Sequence, residues 1–301
     1  MVYGAAIVGG GPAGLSAALW LGRHRRSAVL VDAGEHRNRW VDHAHGYLGR
    51  DTLEPRALLD RARADLRGYD TVHTVATRAT AATRDPQRPD DDPLFTLQTD
   101  DGPIRARRLV LATGVVDAFP EVANFFEHYG ADVFHCPVCD GFEARDRHVV
   151  AFGWGEHVPG FALGLLNWAR RVTVVTDGHP LEADGRRRAR LEEAGVEVVE
   201  DEALELCGTR GSLRAVRLRS GVELRCELAF FAIAHRPVGD LAAALGCAVT
   251  DEGYVAVDEH ACTTVPGVYA AGDLTPGIQL IQVAAAKGTV AGIACARSLA
   301  G

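Results

Sequence analysis

Residues 3–32 read YGAAIVGGGPAGLSAALWLGRHRRSAVLVD, and their reading decides the fold. An apolar run at 5–8 meets a glycine turn, Gly9-Gly10-Gly11-Pro12-Ala13-Gly14. A stretch with helical spacing follows, then a second apolar run that ends on Asp32. Strand, glycine turn, helix, strand and acid, in that order, form the context that gives a G-x-G-x-x-G match its meaning. Gly9 makes the tight turn, Gly11 lets backbone approach a pyrophosphate, and Gly14 lets helix pack on strand. The helix N-terminus offers unpaired N–H groups to phosphate, and Asp32 can accept both ribose hydroxyls.

The plan recurs. Residues 148–177, HVVAFGWGEHVPGFALGLLNWARRVTVVTD, again read strand, Gly153-x-Gly155, helix, strand and acid, here Asp177. The first unit continues through a hairpin at 99–102 (TDDG) into RLVLATG, ending at Gly114; the second passes a hairpin at 219–224 (RSGVEL) into LAFFAIAHRP. Two Rossmann-like dinucleotide-binding domains of α/β class are the economical reading. The acidic, proline-containing run RDPQRPDDDP (84–93) reads as a surface hairpin loop. The remainder is a strand-rich segment ending on an Ala-Gly-Asp turn at 271–273, followed by a small-residue helix from 281. It resembles neither a third unit nor a linker.

Composition agrees and excludes. A chain of 301 residues is longer than one core usually serves, so two domains are expected. Apolar residues at 47% and charged residues at 24% are ordinary for a soluble globular protein. The net charge of −8 argues against nucleic acid as a partner, because phosphate binding needs a basic face. Neither a secretory leader nor a membrane span is expected: glycines and a proline interrupt the apolar start, and no basic leader precedes it. The expected location is cytoplasmic. Seven cysteines in a reducing compartment are not a disulfide scaffold, and Cys207, Cys226, Cys247, Cys262 and Cys295 read as small buried hydrophobes.

The other two cysteines stand in FHCPVCDGFE (134–143). With GGGPAG at 9–14, Ala112-Thr113-Gly114, and TTVPGVYAAGD ending at Asp273, this C-x-x-C-Asp-Gly makes the whole chain resemble the low-molecular-weight thioredoxin reductase-like flavoproteins. The resemblance implies that the second dinucleotide-binding domain, of three-layer ββα type like the first, is inserted into the first. The FAD domain would comprise 1–117 and 248–301, and a pyridine-nucleotide domain carrying the redox cysteines 118–247. It further implies FAD as cofactor, a homodimer, and a disulfide- or dithiol-bearing substrate, either a thioredoxin-like protein or a small molecule. Asp32 would hold the adenosine ribose, Asp273 the ribityl chain and phosphates, and Gln282 and Val283 the flavin ring through backbone N–H. Arg37 and Asn38 would lie against the cofactor.

A metal at Cys136 and Cys139 is not expected, because a structural zinc needs four ligands and no second C-x-x-C or paired histidines are present. A permanent staple closing so short a loop gains little. A redox pair suits a turn that opens a helix, where thiolates are favoured and Pro137 fixes the geometry. The resemblance assigns Cys139 to the flavin and Cys136 to the substrate, with Asp140 as acid/base; the alternative for Asp140 is a helix cap.

Two features depart from an NADPH–thioredoxin reductase. The second fingerprint carries Val158-Pro159 where a small residue is expected, and Thr176-Asp177-Gly178 replaces a basic pair for a 2′-phosphate. NADH is thereby favoured over NADPH, or no pyridine nucleotide binds productively. His135 precedes the redox pair, as in the branch that closes disulfides in small dithiol natural products, the gliotoxin and holomycin dithiol oxidases. That branch usually has His after its second cysteine, where this chain has Asp140. His135 is a catalytic or a packing histidine on this reading. The function expected is an FAD-dependent dithiol–disulfide oxidoreductase, run as a reductase or as an oxygen-linked dithiol oxidase; a flavin-binding redox sensor is the third reading.

Overall fold

The computed structural model describes residues 1–300, and in it the two apolar runs of the opening stretch become adjacent parallel strands. In chain order the strands are β1 (Val2–Val8), β2 (Ala28–Val31), β3 (Val72–Val75), β4 (Ala79–Arg84), β5 (Phe95–Thr99), β6 (Gly102–Leu111), β7 (Val115–Ala118), β8 (Val133–Phe134), β9 (His148–Phe152), β10 (Arg171–Val175), β11 (Glu197–Val199), β12 (Ala203–Thr209), β13 (Ser212–Leu218), β14 (Glu223–Arg225), β15 (Leu228–Phe231), β16 (Ala234–Pro237) and β17 (Val268–Ala270). The helices are α1 (Pro12–Arg23), α2 (Pro55–Leu66), α3 (Phe125–His128), α4 (Pro137–Asp140), α5 (Val158–Leu165), α6 (Gly185–Glu193), α7 (Asp240–Ala244) and α8 (Ile281–Ser298).

The chain divides into two compact units. The first holds residues 1–39, 56–116 and the chain from Arg236 onward. Its sheet runs β3-β2-β1-β6-β5-β4, with β17 also paired to β6. Strands β2, β1, β6 and β17 are mutually parallel, and β4 and β5 form an antiparallel meander on β6. Ala28–Val31 is buried at every position, as a parallel strand covered on both faces must be. One face packs Ile7, Leu21, Leu30 and Leu59; the other packs Val29, Phe95, Leu97 and Leu109.

The second unit holds residues 40–55 and 117–235. Its parallel sheet runs β11-β10-β9-β15-β8, beside an antiparallel β12-β13-β14 meander. The same plan therefore appears twice, the second copy inserted in the first, as the sequence predicts. The hairpins at 99–102 and 219–224 and the loop after β4 all lie where expected.

Two boundaries differ from those expected. Residues 236–247, assigned from sequence to the inserted domain, pack in the first unit, because Leu241, Ala242 and Cys247 complete the apolar face around Val29 and Val31. Residues 40–55, assigned to the first domain, pack in the second. The Trp40 ring lies 4.9 Å from Phe126, and the Arg210 guanidinium meets the Asp42 carboxylate at 2.7 Å. No described helix is long and apolar enough to cross a membrane.

Helix α8 is built from small residues because it lies directly on α1. A Cβ on Gly288 would collide with the Ala13 carbonyl, and one on Gly292 would lie 2.7 Å from the Ala17 carbonyl. Two hydrogen bonds tie the same face: Ser16 and Thr289 hydroxyls at 2.8 Å, and the Trp20 indole N–H to Thr289 Oγ1 at 3.2 Å. Gly288→Val is expected to destabilise the first unit by about 1–3 kcal/mol through overpacking against backbone that cannot yield. Urea unfolding monitored by tryptophan fluorescence checks it; an unchanged midpoint would contradict the packing.

Candidate active site

In the first unit the glycine turn is shaped by what it excludes. Gly9 has φ +109°, and a side chain there would strike the Ala112 carbonyl. Around Gly11, by contrast, nothing lies within 4 Å of where a Cβ would stand. Helix α1 begins at Pro12 with no side-chain cap on its N-terminus; Ala13 and Gly14 are buried, and a Cβ on Gly14 would strike the Gly9 carbonyl, so Gly14 lets the helix pack on the turn. Asp32 ends β2 with one oxygen accepting the Gly34 N–H at 2.8 Å and the other 3.0 Å from Arg63 Nη2.

Arg37 joins this region to the C-terminal segment. Its Nη1 lies 3.3 Å from Asp273 Oδ2 and donates to Gln279 Oε1 at 2.6 Å. Asn38 follows in the same short 3-10 turn. Asp273 sits in a second 3-10 turn, Gly272–Leu274, whose carbonyl groups are gathered by the Lys287 ammonium, 3.4 Å from Gly272 O and 2.8 Å from Pro276 O. Burial pulls Lys287 below the usual lysine range, with the Asp273 carboxylate opposing. Ala112, Thr113 and Gly114 leave β6, and Thr113 Oγ1 donates to Val238 O at 2.6 Å. Gln282 and Val283 form the first turn of α8.

These groups fit a flavin dinucleotide. The space over Gly11 is open, the α1 N-terminus is uncapped, and His36 Nδ1 is buried without a hydrogen-bond partner. Sequence reasoning missed Arg63, His36 and Lys287. No motif distinguishes Arg63 from the other arginines of α2, and only the fold brings it to Asp32.

In the second unit Cys136 and Cys139 form a disulfide with Cα atoms 5.2 Å apart. Cys136 caps α4, its Sγ accepting the Cys139 N–H at 3.1 Å, a contact that favours a thiolate on Cys136 once the bond opens. Among the described residues the remaining cysteines are unpaired; Cys226, Cys247 and Cys295 are buried, whereas Cys207 and Cys262 are half-buried, more open than expected. Burial pushes the Cys226 and Cys295 thiols up to about 12, which leaves them inert.

Asp140 is only 7% exposed. Burial, reinforced by the neighbouring Glu143 charge, pushes its carboxyl up to about 7. His135 is half-buried, its Nδ1 held 3.0 Å from the Tyr129 hydroxyl and its ring packed 5.8 Å from Phe231. The structure thus gives His135 a packing partner and a hydrogen bond.

The second glycine turn is crowded. The Trp154 indole stacks on His179 at 4.2 Å. The His157 ring stands 3.1 Å, and Glu182 Oε2 3.9 Å, from where a Gly155 side chain would begin. Pro159 lies in the first turn of α5 and removes an N–H donor. Glu156 faces Arg187 at 3.3 Å. Asp177, at φ +55°, turns one carboxylate oxygen to the Ala203 N–H at 3.0 Å. Two carboxylates, Glu156 and Glu182, therefore flank a turn whose usual ligand is a pyrophosphate.

Comparison with known proteins matches residues 3–288 to the pyridine nucleotide-disulphide oxidoreductase family model. The thioredoxin reductase sirT of Leptosphaeria maculans is 30% identical over 312 aligned positions, covering 97% of this chain and 92% of that one. Among solved structures, HlmI superposes with a TM-score of 0.92 at 33% identity, over 99% of this chain and 92% of that one. An oxidoreductase from Agrobacterium tumefaciens superposes with a TM-score of 0.85 at 35% identity, over 100% and 99%.

The raised Asp140 carboxyl has a sign that can be measured. Between about pH 4 and about pH 7 the folded state holds a proton that the unfolded chain has released, so stability falls as pH rises through that window. Asp140→Asn removes the penalty. The variant should gain stability over the wild type at pH 8 relative to pH 5, by an amount on the order of a few kcal/mol. Chemical denaturation at both pH values measures it, and an equal difference at the two would contradict the assigned burial cost.

Proposed function

The chain belongs to the pyridine nucleotide-disulphide oxidoreductase family, and from that premise we propose that it is an FAD-dependent dithiol oxidase acting on a small apolar dithiol. That it is a thioredoxin reductase-like FAD-dependent oxidoreductase acting on sulfur groups follows from the family; direction and substrate are the proposal. The observation that carries the direction is the crowded second glycine turn, with its Trp154–His179 stack and two carboxylates. Glu156 is paired with Arg187, so a pyridine nucleotide placed there meets the Glu182 carboxylate, the His157 ring and a missing donor, which supports the reading that electrons are supplied by the substrate.

The redox pair is built for exchange with a small partner. Val138, between the cysteines, is 74% exposed, and Phe142 is 62% exposed, so an apolar molecule finds an apolar flank beside the sulfurs. A substrate thiolate attacks Cys136 Sγ, and Cys139 leaves as thiolate. The second substrate thiolate then attacks the substrate sulfur of the mixed disulfide and expels Cys136, whose charge is received by the Cys139 N–H. Two electrons have moved from substrate to the cysteine pair. When bound, FAD supplies the two-electron acceptor that returns the pair to its disulfide, with oxygen as final acceptor. Gly9, Gly11, Gly14, Asp32, Arg37 and Asp273 would hold it. Asp140 holds or releases the proton of the pair. The family resemblance supports a homodimer as the assembly.

Anaerobic mixing tests the direction. Dithiothreitol should bleach the flavin fully within a time in which neither NADH nor NADPH does. NADPH should be the poorer of the two by about fivefold or more, because one like-charge contact costs about 1 kcal/mol even in a water-like dielectric and about 1.4 kcal/mol is tenfold. Oxygen uptake driven by a dithiol should vanish in Cys136→Ser. Fast reduction by NADPH at micromolar levels would return the enzyme to the thioredoxin reductases in function as well as in fold.

A further inference from the structure

Asp140 is a buried carboxyl, 7% exposed, that no arginine or lysine meets in an ion pair among the described residues. It is not the only such group at this place. Glu143 Oε2 is also buried and without a partner, while Glu143 Oε1 faces His45 Nε2 at 3.6 Å. The ligand-capable atoms of His45, Asp140 and Glu143 all lie within 4.8 Å of one another. Both outer members of the cluster are more open to solvent than Asp140. Asp140 is enclosed, whereas the Glu143 and His45 side chains are 30% and 23% exposed.

The cluster is assembled from two separated stretches of chain. Asp140 ends α4, and Glu143 sits in the 3-10 turn that follows, Gly141–Ala144. His45 arrives from the 40–55 excursion, which packs in this unit and not with its sequence neighbours. No arginine or lysine ion pair reaches Asp140 or Glu143 among the described residues; Arg145, the nearest cation in sequence, lies over the Phe142 ring and pairs with Asp146. Two adjacent carboxyls without a cation are held together most cheaply by a shared proton. The His45 imidazole beside Glu143 has a nitrogen that can accept or donate a proton and so can load and unload the shared one.

We propose that Glu143 and His45 carry protons between Asp140 and solvent, so that the acid–base chemistry of the redox pair runs through a relay of three groups. The relay rests on the reading of Asp140 as the acid/base of the Cys136–Cys139 pair. When a thiolate attacks the disulfide, one S–S bond forms and one breaks; Cys139 departs as the thiolate and then takes a proton from Asp140. The Asp140 carboxylate is reprotonated from Glu143, and Glu143 from His45, which takes its proton from water. The relay moves protons only; the electron pair stays with the sulfurs. On closing of the pair every step reverses.

The test uses the full chain loaded with FAD and reads the cysteines directly. Oxidised protein is mixed with dithiothreitol, quenched with N-ethylmaleimide at intervals, and the alkylated Cys136–Cys139 peptide is counted by mass spectrometry across the pH range. His45→Gln is expected to slow opening about tenfold or more near neutral pH and to flatten the pH profile. Free imidazole should restore the rate in proportion to its concentration, which a purely structural histidine would not allow. A wild-type rate in His45→Gln, or a loss that imidazole leaves untouched, overturns the relay. Should His45→Gln fail to fold, Glu143→Gln must show the same slow opening, and a wild-type rate there overturns the relay equally. Asp140→Asn separates the two levels. If it too opens at the wild-type rate, the fault lies in the acid/base assignment beneath the relay; if it is slow while His45→Gln and Glu143→Gln are not, Asp140 stands and the relay falls.

Discussion

The flavin-side architecture depends on one helix contact, α1 against α8, made without side chains between them. Gly288 and Gly292 meet the backbone of Ala13 and Ala17, and the Ser16–Thr289 hydroxyl pair fixes the register. Because the axes approach so closely, the N-terminal turn of α1, the Asp273 turn and the start of α8 are set by one rigid joint. A Cβ on Gly272 would stand 2.8 Å from the Ala13 side chain, so the Asp273 turn packs against the first turn of α1 as well. The glycine fingerprint alone would leave the phosphate end of a dinucleotide with one wall. The C-terminal segment supplies the other, through Lys287 and through Asp273, which Arg37 ties to the turn after β2.

The redox centre obeys the opposite logic. Where the first unit pairs its charges, Arg63 with Asp32 and Arg37 with Asp273, the second gives Asp140 no arginine or lysine and Glu143 only the His45 imidazole at 3.6 Å. A buried carboxylate without a cation is expensive, and folds retain one where its proton has a use. Placing it directly after Cys139 puts that proton where thiol chemistry consumes and releases one. The same unit surrounds its second glycine turn with carboxylates and a stacked ring pair.

Both Rossmann units, their hairpins and the redox pair were legible in the sequence, because each is a local pattern with its own chemistry: period, glycine spacing, cysteine spacing. The damage to the second turn was half legible. Val158, Pro159 and Asp177 stand in the motif, but Glu182 reaches Gly155 only through the loop after β10, and the Trp154–His179 stack joins residues 25 positions apart. Arg63, Lys287 and His45 were not legible, since each is one of several like residues in an unremarkable stretch until the fold selects it. The 40–55 excursion had no compositional mark at all. Its membership in the second unit is decided by Trp40 on Phe126 and Asp42 on Arg210, contacts between segments far apart in the chain.

The position of α8 bears on the order in which the protein is made. It begins at Ile281, whereas the face of α1 that it covers ends at Arg23 and is made long before it. The inserted unit, complete by residue 235, has all its strands before the first unit has its closing helix. During synthesis the small-residue face of α1 waits uncovered for nearly the whole length of the chain, a period in which exposed apolar surface invites aggregation. The first unit can therefore close only after Ile281–Ser298 has been made, and a chain released before that point would carry a finished disulfide domain tethered to an open nucleotide fold.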